Sequence, residues 1–225
     1  MTRRRYDQAC SIAGALDRVG ERWSMLVVRE LLLGPLRFSD LARAVGGAPT
    51  DVLTKRLRDL EADRIVHRVE LGPPSGVTVY ELTELGRGLE GPLLALGRWG
   101  LNFYRLEDIV GIGAFSLSGP LKVVLDPPPT LTVALQMRSE GAPTWLRVEA
   151  GEVSAGRGEL EDPDLVLTGP PAAILLALAP GGDAAPVEIE GDRELLEALR
   201  SAADLPERLA EEVAAATSQL SSVPS

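Results

Sequence analysis

The sequence predicts an α+β chain of two domains, helices leading into a β-hairpin and then a sheet with helices. Three observations carry this. Apolar residues recur at helical spacing up to about residue 62, then alternate on both sides of Gly72-Pro73-Pro74-Ser75-Gly76. The net charge of −10 is unevenly placed: residues 1–105 hold 16 Lys/Arg against 13 Asp/Glu, and residues 106–225 hold 7 against 20. A Gly/Pro-rich stretch from Gly111 to Pro120 lies where the charge changes. These set a first domain at 1–105, a linker at 106–117 and a second domain at 118–225. The first alone has the charge to approach a polyanion without strong repulsion.

The elements follow in order. Ile12 to Val19 is a short apolar-periodic helix. Arg22 to Leu33 is a second, with Trp23, Leu26, Val27 and Leu31 on one side and a stop at Gly34-Pro35. Phe38 to Val45 is a third. Pro49 suits the first turn of a fourth, which runs to about Ala62. In that fourth helix Val52, Leu53, Leu57 and Leu60 fall on one side, and Thr50, Thr54, Lys55 and Arg58 on the other. Hydroxyls and cations on an outer face, just after the turn Gly46-Gly47-Ala48-Pro49, suit contact with phosphates and base edges. The same pattern also fits a surface helix with solvated charges. Arg37 and Ser39, at the start of the preceding helix, are placed to hold backbone phosphate. Arg56 has Asp59 and Glu61 near it and fits a surface pair instead. Ile65 to Leu71 and Val77 to Leu82 form a wing hairpin, and Thr83 caps a long helix to about Tyr104 that Pro92 kinks or divides. Helices, wing and closing helix make a winged helix-turn-helix.

Residues 10–104 resemble the HxlR-type family of bacterial winged-helix transcription regulators. The likeness rests on Cys10, Gly20-Glu21-Arg22-Trp23, Leu26-Val27-Val28-Arg29-Glu30-Leu31, and Gly34-Pro35-Leu36-Arg37-Phe38-Ser39-Asp40-Leu41. It continues through Leu53-Thr54-Lys55-Arg56-Leu57-Arg58-Asp59-Leu60-Glu61, Tyr80-Glu81-Leu82-Thr83-Glu84-Leu85-Gly86 and Trp99-Gly100. The resemblance implies a homodimer on double-stranded DNA, paired through its N-terminal and long C-terminal helices, with recognition helices in successive major grooves. A dyad of this kind fits half-sites about 34–36 Å apart. Leu16, Leu89, Leu93, Leu96 and Trp99 are the candidate dimer residues. With Leu85, the last four form an apolar stripe that dimer burial or packing on the second domain would cover. Two departures stand out. Arg64 occupies the place where the family ends the recognition helix with glycine, a conformation that costs a non-glycine residue roughly 1 kcal/mol, so the end of this helix is expected to differ locally. The wing tip has no Lys or Arg, which argues against strong minor-groove insertion. Cys10 has two readings, an oxidant sensor as in some family members or a small residue buried at the dimer interface. Arg3, Arg4 and Arg5 read as a phosphate-binding arm or as a solvated tail.

From Phe115 the chain reads as strands over Lys122–Leu125, Leu131–Met137, Thr144–Glu149, Glu152–Arg157, Asp164–Gly169 and Val187–Asp192. Helices follow over Pro170–Leu178, Arg193–Ala202 and Leu205–Leu220. An antiparallel sheet with helices is the expectation. Pro163-Asp164-Leu165-Val166-Leu167-Thr168-Gly169, the helix Ala172–Leu178 and Ile189-Glu190-Gly191-Asp192-Arg193-Glu194-Leu195-Leu196 resemble the sterol-carrier-protein type-2-like fold. That resemblance implies an apolar tunnel, with Val133, Leu135, Met137, Trp145, Ile174, Leu175 and Leu178 as candidate lining; each also fits plain core.

One His (His67) and one Cys argue against zinc clusters and leave a single chance for a nucleophilic dyad. No cofactor, no metal and no enzymatic activity are expected. The most apolar run, Ala172 to Ala179, is too short to span a bilayer, and Met-Thr-Arg-Arg-Arg lacks the apolar core of a secretory signal. A lone cysteine suits the cytoplasm. The sequence thus points to a cytoplasmic, homodimeric transcription regulator on a pseudo-palindromic operator, whose second domain senses a small hydrophobic effector. The alternatives are a hydrophobic-ligand carrier whose winged helix only dimerises, and a regulator switched through Cys10.

Overall fold

The computed structural model describes residues 5–72, 76–105, 117–182 and 186–220. Arg3, Arg4, the wing tip at 73–75 and the expected linker up to residue 116 lie outside them. Contacts divide the chain into two compact units, Met1–Leu93 and Leu94–Ser225.

The first unit runs α1 (Ser11–Val19), α2 (Ser24–Leu32), α3 (Phe38–Val45), α4 (Thr50–Ala62), β1 (Val66–Glu70), β2 (Thr78–Leu82) and α5 (Glu84–Arg87). Its core joins Val27, Val28 and Leu31 of α2, Leu41 and Val45 of α3, and Leu53, Leu57 and Leu60 of α4. Each of these three helices thus buries the stripe its apolar spacing sets. The α4 terminus is the tight turn expected of glycine but built on Arg64, whose φ is 57°. The Ile65 amide donates to the Leu60 carbonyl at 2.9 Å, so the last carbonyls of α4 are satisfied despite the left-handed residue. β1 and β2 pair antiparallel from Val66↔Leu82 to Glu70↔Thr78, and Leu36 bridges to Tyr80 as a third short edge. Thr83 fixes the next helix to this hairpin. Its hydroxyl accepts from the Gly86 amide at 3.1 Å and donates to the Arg64 carbonyl at 2.6 Å. Gly86 packs so tightly that a Cβ there would lie 2.1 Å from the Ile65 carbonyl oxygen.

The expected long closing helix is two helices. After α5 the chain turns at Gly88 and restarts as α6 (Glu90–Gly100), followed by a 3-10 turn over Leu101–Phe103. Pro92 falls in the first turn of α6, where its missing N–H costs nothing. The break therefore comes before the proline rather than at it.

In the second unit α7 (Ser118–Val124) precedes β3 (Val133–Arg138), β4 (Thr144–Glu149), β5 (Glu152–Arg157) and β6 (Leu165–Thr168). α8 (Pro171–Ala177), β7 (Glu188–Gly191), α9 (Arg193–Ser201) and α10 (Glu207–Leu220) complete it. The sheet order is β5-β4-β3-β6-β7. One face, carrying Val133, Leu135, Leu146, Val148, Leu165 and Leu167, packs on Leu121 of α7, Ile174 of α8, and Leu196 and Leu199 of α9.

Two expectations need correcting here. The sheet is mixed, because β3 and β6 run parallel in the register Leu135↔Leu165 to Arg138↔Thr168. Residues 158–164 carry the chain from the edge strand β5 to the far side of β3. The crossing is tied by buried Gln136, whose side-chain amide donates to the Thr144 and Gly158 carbonyls and accepts from the Leu160 amide at 2.7 Å. The run Lys122–Val124 is helix rather than strand. Leu117, Leu121 and Leu125, four residues apart, are all buried, so the helical stripe overrides the β-preference of Val123-Val124.

Candidate nucleic-acid interface

The turn Gly46-Gly47 has positive φ at both glycines (62° and 70°), which lets the chain leave α3 and enter α4 within a few residues. Leu53, Leu57 and Leu60 are at most 1% exposed, which fixes the roll of α4. The opposite face is left outward: Thr50, Lys55 and Arg58 are exposed and Thr54 is half-buried. Lys55 and Arg58 have no hydrogen-bond or ion-pair partner among the described residues. The same holds for Arg37, exposed at the N-cap of α3, with Ser39 exposed beside it. Thr54 spends its hydroxyl hydrogen on the Thr50 carbonyl at 2.7 Å, leaving its oxygen to accept. Four sequence-selected groups thus share the solvent side of one helix, and two more stand at the start of the helix before it. Unpaired cations on a helix held by its apolar back are what a phosphate or base edge requires.

Arg56 belongs to a different class. It is 5% exposed, with Nη2 2.9 Å from Asp59 Oδ2 and Nη1 3.8 Å from Glu21 Oε2. The pairing with Asp59 expected for it is present, but from a buried guanidinium that also reaches partly exposed Glu21 in the α1–α2 turn. The legible sign was its place between Leu53 and Leu57 on the buried side.

The wing is braced against α4. Arg68 on β1 donates from Nε and Nη2 to both carboxylate oxygens of Glu61, each at 2.9 Å. Hydrogen bonding from Arg68 holds the Glu61 carboxyl below the usual carboxylate range, outweighing the opposing effect of burial. His67, exposed in the same strand, has Nε2 3.7 Å from Glu81 Oε2.

The candidate dimer residues divide. Leu89 and Leu93 are half-buried against the core of the first unit. Leu16 on α1 remains 42% exposed, with Tyr6 and Ile12 also exposed. On α6, Leu96 and Trp99 are 53% and 62% exposed, and Phe103 follows with its ring 4.9 Å from that of Trp99. Cys10 is exposed at the N-cap of α1.

Of the residues expected to line a tunnel, Val133, Leu135, Met137 and Ile174 are fully buried, Leu178 nearly so, and Trp145 and Leu175 half-buried. All but Trp145 belong to the core between sheet and helices or pack against it. A cleft of about 360 Å³ lies elsewhere in this unit, lined by Asp126, Pro128, Thr130, Leu131, Ala198, Ser201 and Ala202. Among the described residues no group of three metal-ligating side chains gathers, and no helix is long and apolar enough to cross a membrane.

Comparison with known proteins bears on the N-terminal part of the chain. Residues 18–108 match the model of the HxlR-like helix-turn-helix family. YtcD of Bacillus subtilis (strain 168), named an uncharacterized HTH-type transcriptional regulator, is 34% identical over 102 residues, 45% of this chain and 79% of its own length. YybR of the same organism is 34% identical over 109 residues, covering 46% of this chain and 87% of its own. The crystal structure of YtcD aligns over 42% of this chain and 96% of its own with a TM-score of 0.39. With relatives covered over most of their length, the chain belongs to the HxlR-like helix-turn-helix family of transcription regulators.

Proposed function

We propose that the protein is a homodimeric regulator that binds a pseudo-palindromic operator in the cytoplasm, with the second unit sensing a small hydrophobic effector. The observation that carries the DNA reading is the outward, partner-free pair Lys55 and Arg58 on a helix whose other face is locked in the core. Thr50 and Thr54 add hydroxyls for base edges, and Arg37 and Ser39 hold backbone phosphate. Pairing of two chains is supported by apolar side chains that each unit leaves exposed, Ile12 and Leu16 on α1 and Leu96 and Trp99 on α6. The sensor reading rests on the sterol-carrier-like resemblance of residues 163–196, and a sheet backed on one face by helices supplies the apolar layer such a reading needs.

The test is selection of duplexes by the purified chain from a randomised pool, then binding of the selected duplex across a salt series. A palindromic site whose affinity falls steeply with salt is the expected result. A chain that selects no sequence fails the operator reading, and a hydrophobic molecule co-purifying with such a chain would make it a carrier. Effector sensing is tested separately by a fluorescent fatty acid: it binds the full chain and changes operator affinity, as differential binding to two states requires.

A further inference from the structure

Arg22 lies outside the helix-turn-helix, in the turn between α1 and α2, and neither the α4 face nor the start of α3 includes it. It is exposed, and among the described residues no carboxylate pairs with it. Its Cζ sits 4.9 Å from the centre of the Trp23 ring, a cation–π contact. Trp23 is itself pinned. Its backbone is left-handed at φ 81°, its ring packs against the first unit's core, and its Cη2 lies 3.9 Å from where a Cβ on Gly47 would stand. Gly47 belongs to the turn that delivers the N-terminus of α4. On the other side of Arg22, Glu21 faces the buried Arg56 of α4 at 3.8 Å.

The residues flanking Arg22 thus grip the recognition helix, one through the turn that precedes it and one through its buried arginine. A tryptophan in the left-handed region costs on the order of 1 kcal/mol or more, and such a backbone persists where its surroundings over-determine it. What that backbone holds in place here is a guanidinium. A cation–π contact uses none of the guanidinium N–H groups as hydrogen-bond donors to a carboxylate, so two of them stay available to a phosphate at once. Because the N-terminal part of a recognition helix is the part that meets DNA, a cation anchored beside its leading turn stands next to the sugar–phosphate backbone.

We propose that Arg22 is an additional DNA-phosphate contact, pre-oriented by Trp23 beside the helix-turn-helix turn. This rests on the DNA-binding reading above and adds a contact from a different part of the fold. A phosphate contact has a signature that a purely structural residue lacks, because each neutralised phosphate adds about 0.9 to the slope of log affinity against log salt.

The experiment measures that slope for the full chain on the duplex it selects from a randomised pool, comparing wild type with Arg22→Gln, Arg22→Lys and, as a reference for a lost phosphate contact, Arg37→Gln. Arg22→Gln lowers the slope by about 0.9 and weakens binding roughly tenfold at 0.1 M salt, alike on selected and scrambled duplexes. Arg22→Lys keeps the slope while losing part of the affinity, since the charge remains and the two-pronged geometry does not. An Arg22→Gln slope equal to wild type, in a chain that binds with a steep slope of its own, overturns the Arg22 contact and leaves the DNA reading standing. A wild-type chain that selects no duplex overturns both.

Discussion

In the first unit Lys55, Arg58, Arg37 and Arg22 stand free of carboxylates, whereas several arginines of the second are held within it. Arg138 forks onto Glu159 at 3.0 Å, which raises its already high pKa further. Arg200 pairs with Glu197 and donates to the Ala177 carbonyl, both at 2.6 Å, and Arg208 bonds to the Asn102 and Tyr104 carbonyls. The same residue type braces the fold at Arg56 and Arg68 of the first unit and at these arginines of the second, and is left without a carboxylate on one side of the first. A net charge of −10 therefore says little about the nucleic-acid affinity of this chain. What matters is which cations lack a partner and which surface they share.

That contrast predicts effects that separate by unit. The largest falls in the second. Leu135 is fully buried at the centre of β3, so Leu135→Ala costs about 2–5 kcal/mol in chemical denaturation, by lost burial and the cavity left behind. Next comes Lys55→Ala combined with Arg58→Ala, which weakens operator binding by roughly a hundredfold in a fluorescence-anisotropy titration and leaves the melting temperature within a few degrees of wild type. A matching loss of stability would mean that these side chains brace the fold, and the comparison would break. Gln136→Leu follows, destabilising the second unit by about 1–3 kcal/mol because the Leu160 amide and two carbonyls lose their partner. It leaves DNA affinity of the folded chain unchanged if the two units do separate work.

The smallest effect is Glu61→Gln at the wing. The folded carboxyl titrates below its unfolded value, so its contribution to stability is present above the unfolded pKa and is lost as pH falls through the folded one. The pair is largely open to solvent, so the variant melts only slightly below wild type at pH 7, and the two converge under strongly acidic conditions. A difference that persists there would assign the effect to packing rather than charge.

Much of the first unit was legible because its signals are local. Apolar spacing gives α3 its ends and Thr83 announces the cap it makes, whereas the arginine at 64 argues for a locally different end to α4 and instead keeps the left-handed turn that glycine would take. Lys55 and Arg58 were found by the same periodicity that buried Leu53 and Leu57. The second unit yielded less where pairing is non-local. Nothing near β3 or β6 in sequence states that they run parallel, because the partner is fixed by the crossing that Gln136 secures. Val123-Val124 carried a strand preference that the longer Leu117-Leu121-Leu125 stripe overrode. Arg22 reads in the sequence as the start of a helix and part of a family block, not as a phosphate contact, because it sits in a turn before Ser24, where no period distinguishes one exposed cation from another. Only the ring beneath it does so.

DNA contact by the α4 cations is tested most directly by the salt slope of the full chain on its selected duplex, set beside that of the chain carrying Lys55→Ala and Arg58→Ala. A steep wild-type slope is expected, falling by about 1.8 in the variant, two phosphate-facing charges at about 0.9 each. Equal slopes in two equally folded chains would contradict it, because the free cations of α4 would then not be what meets DNA.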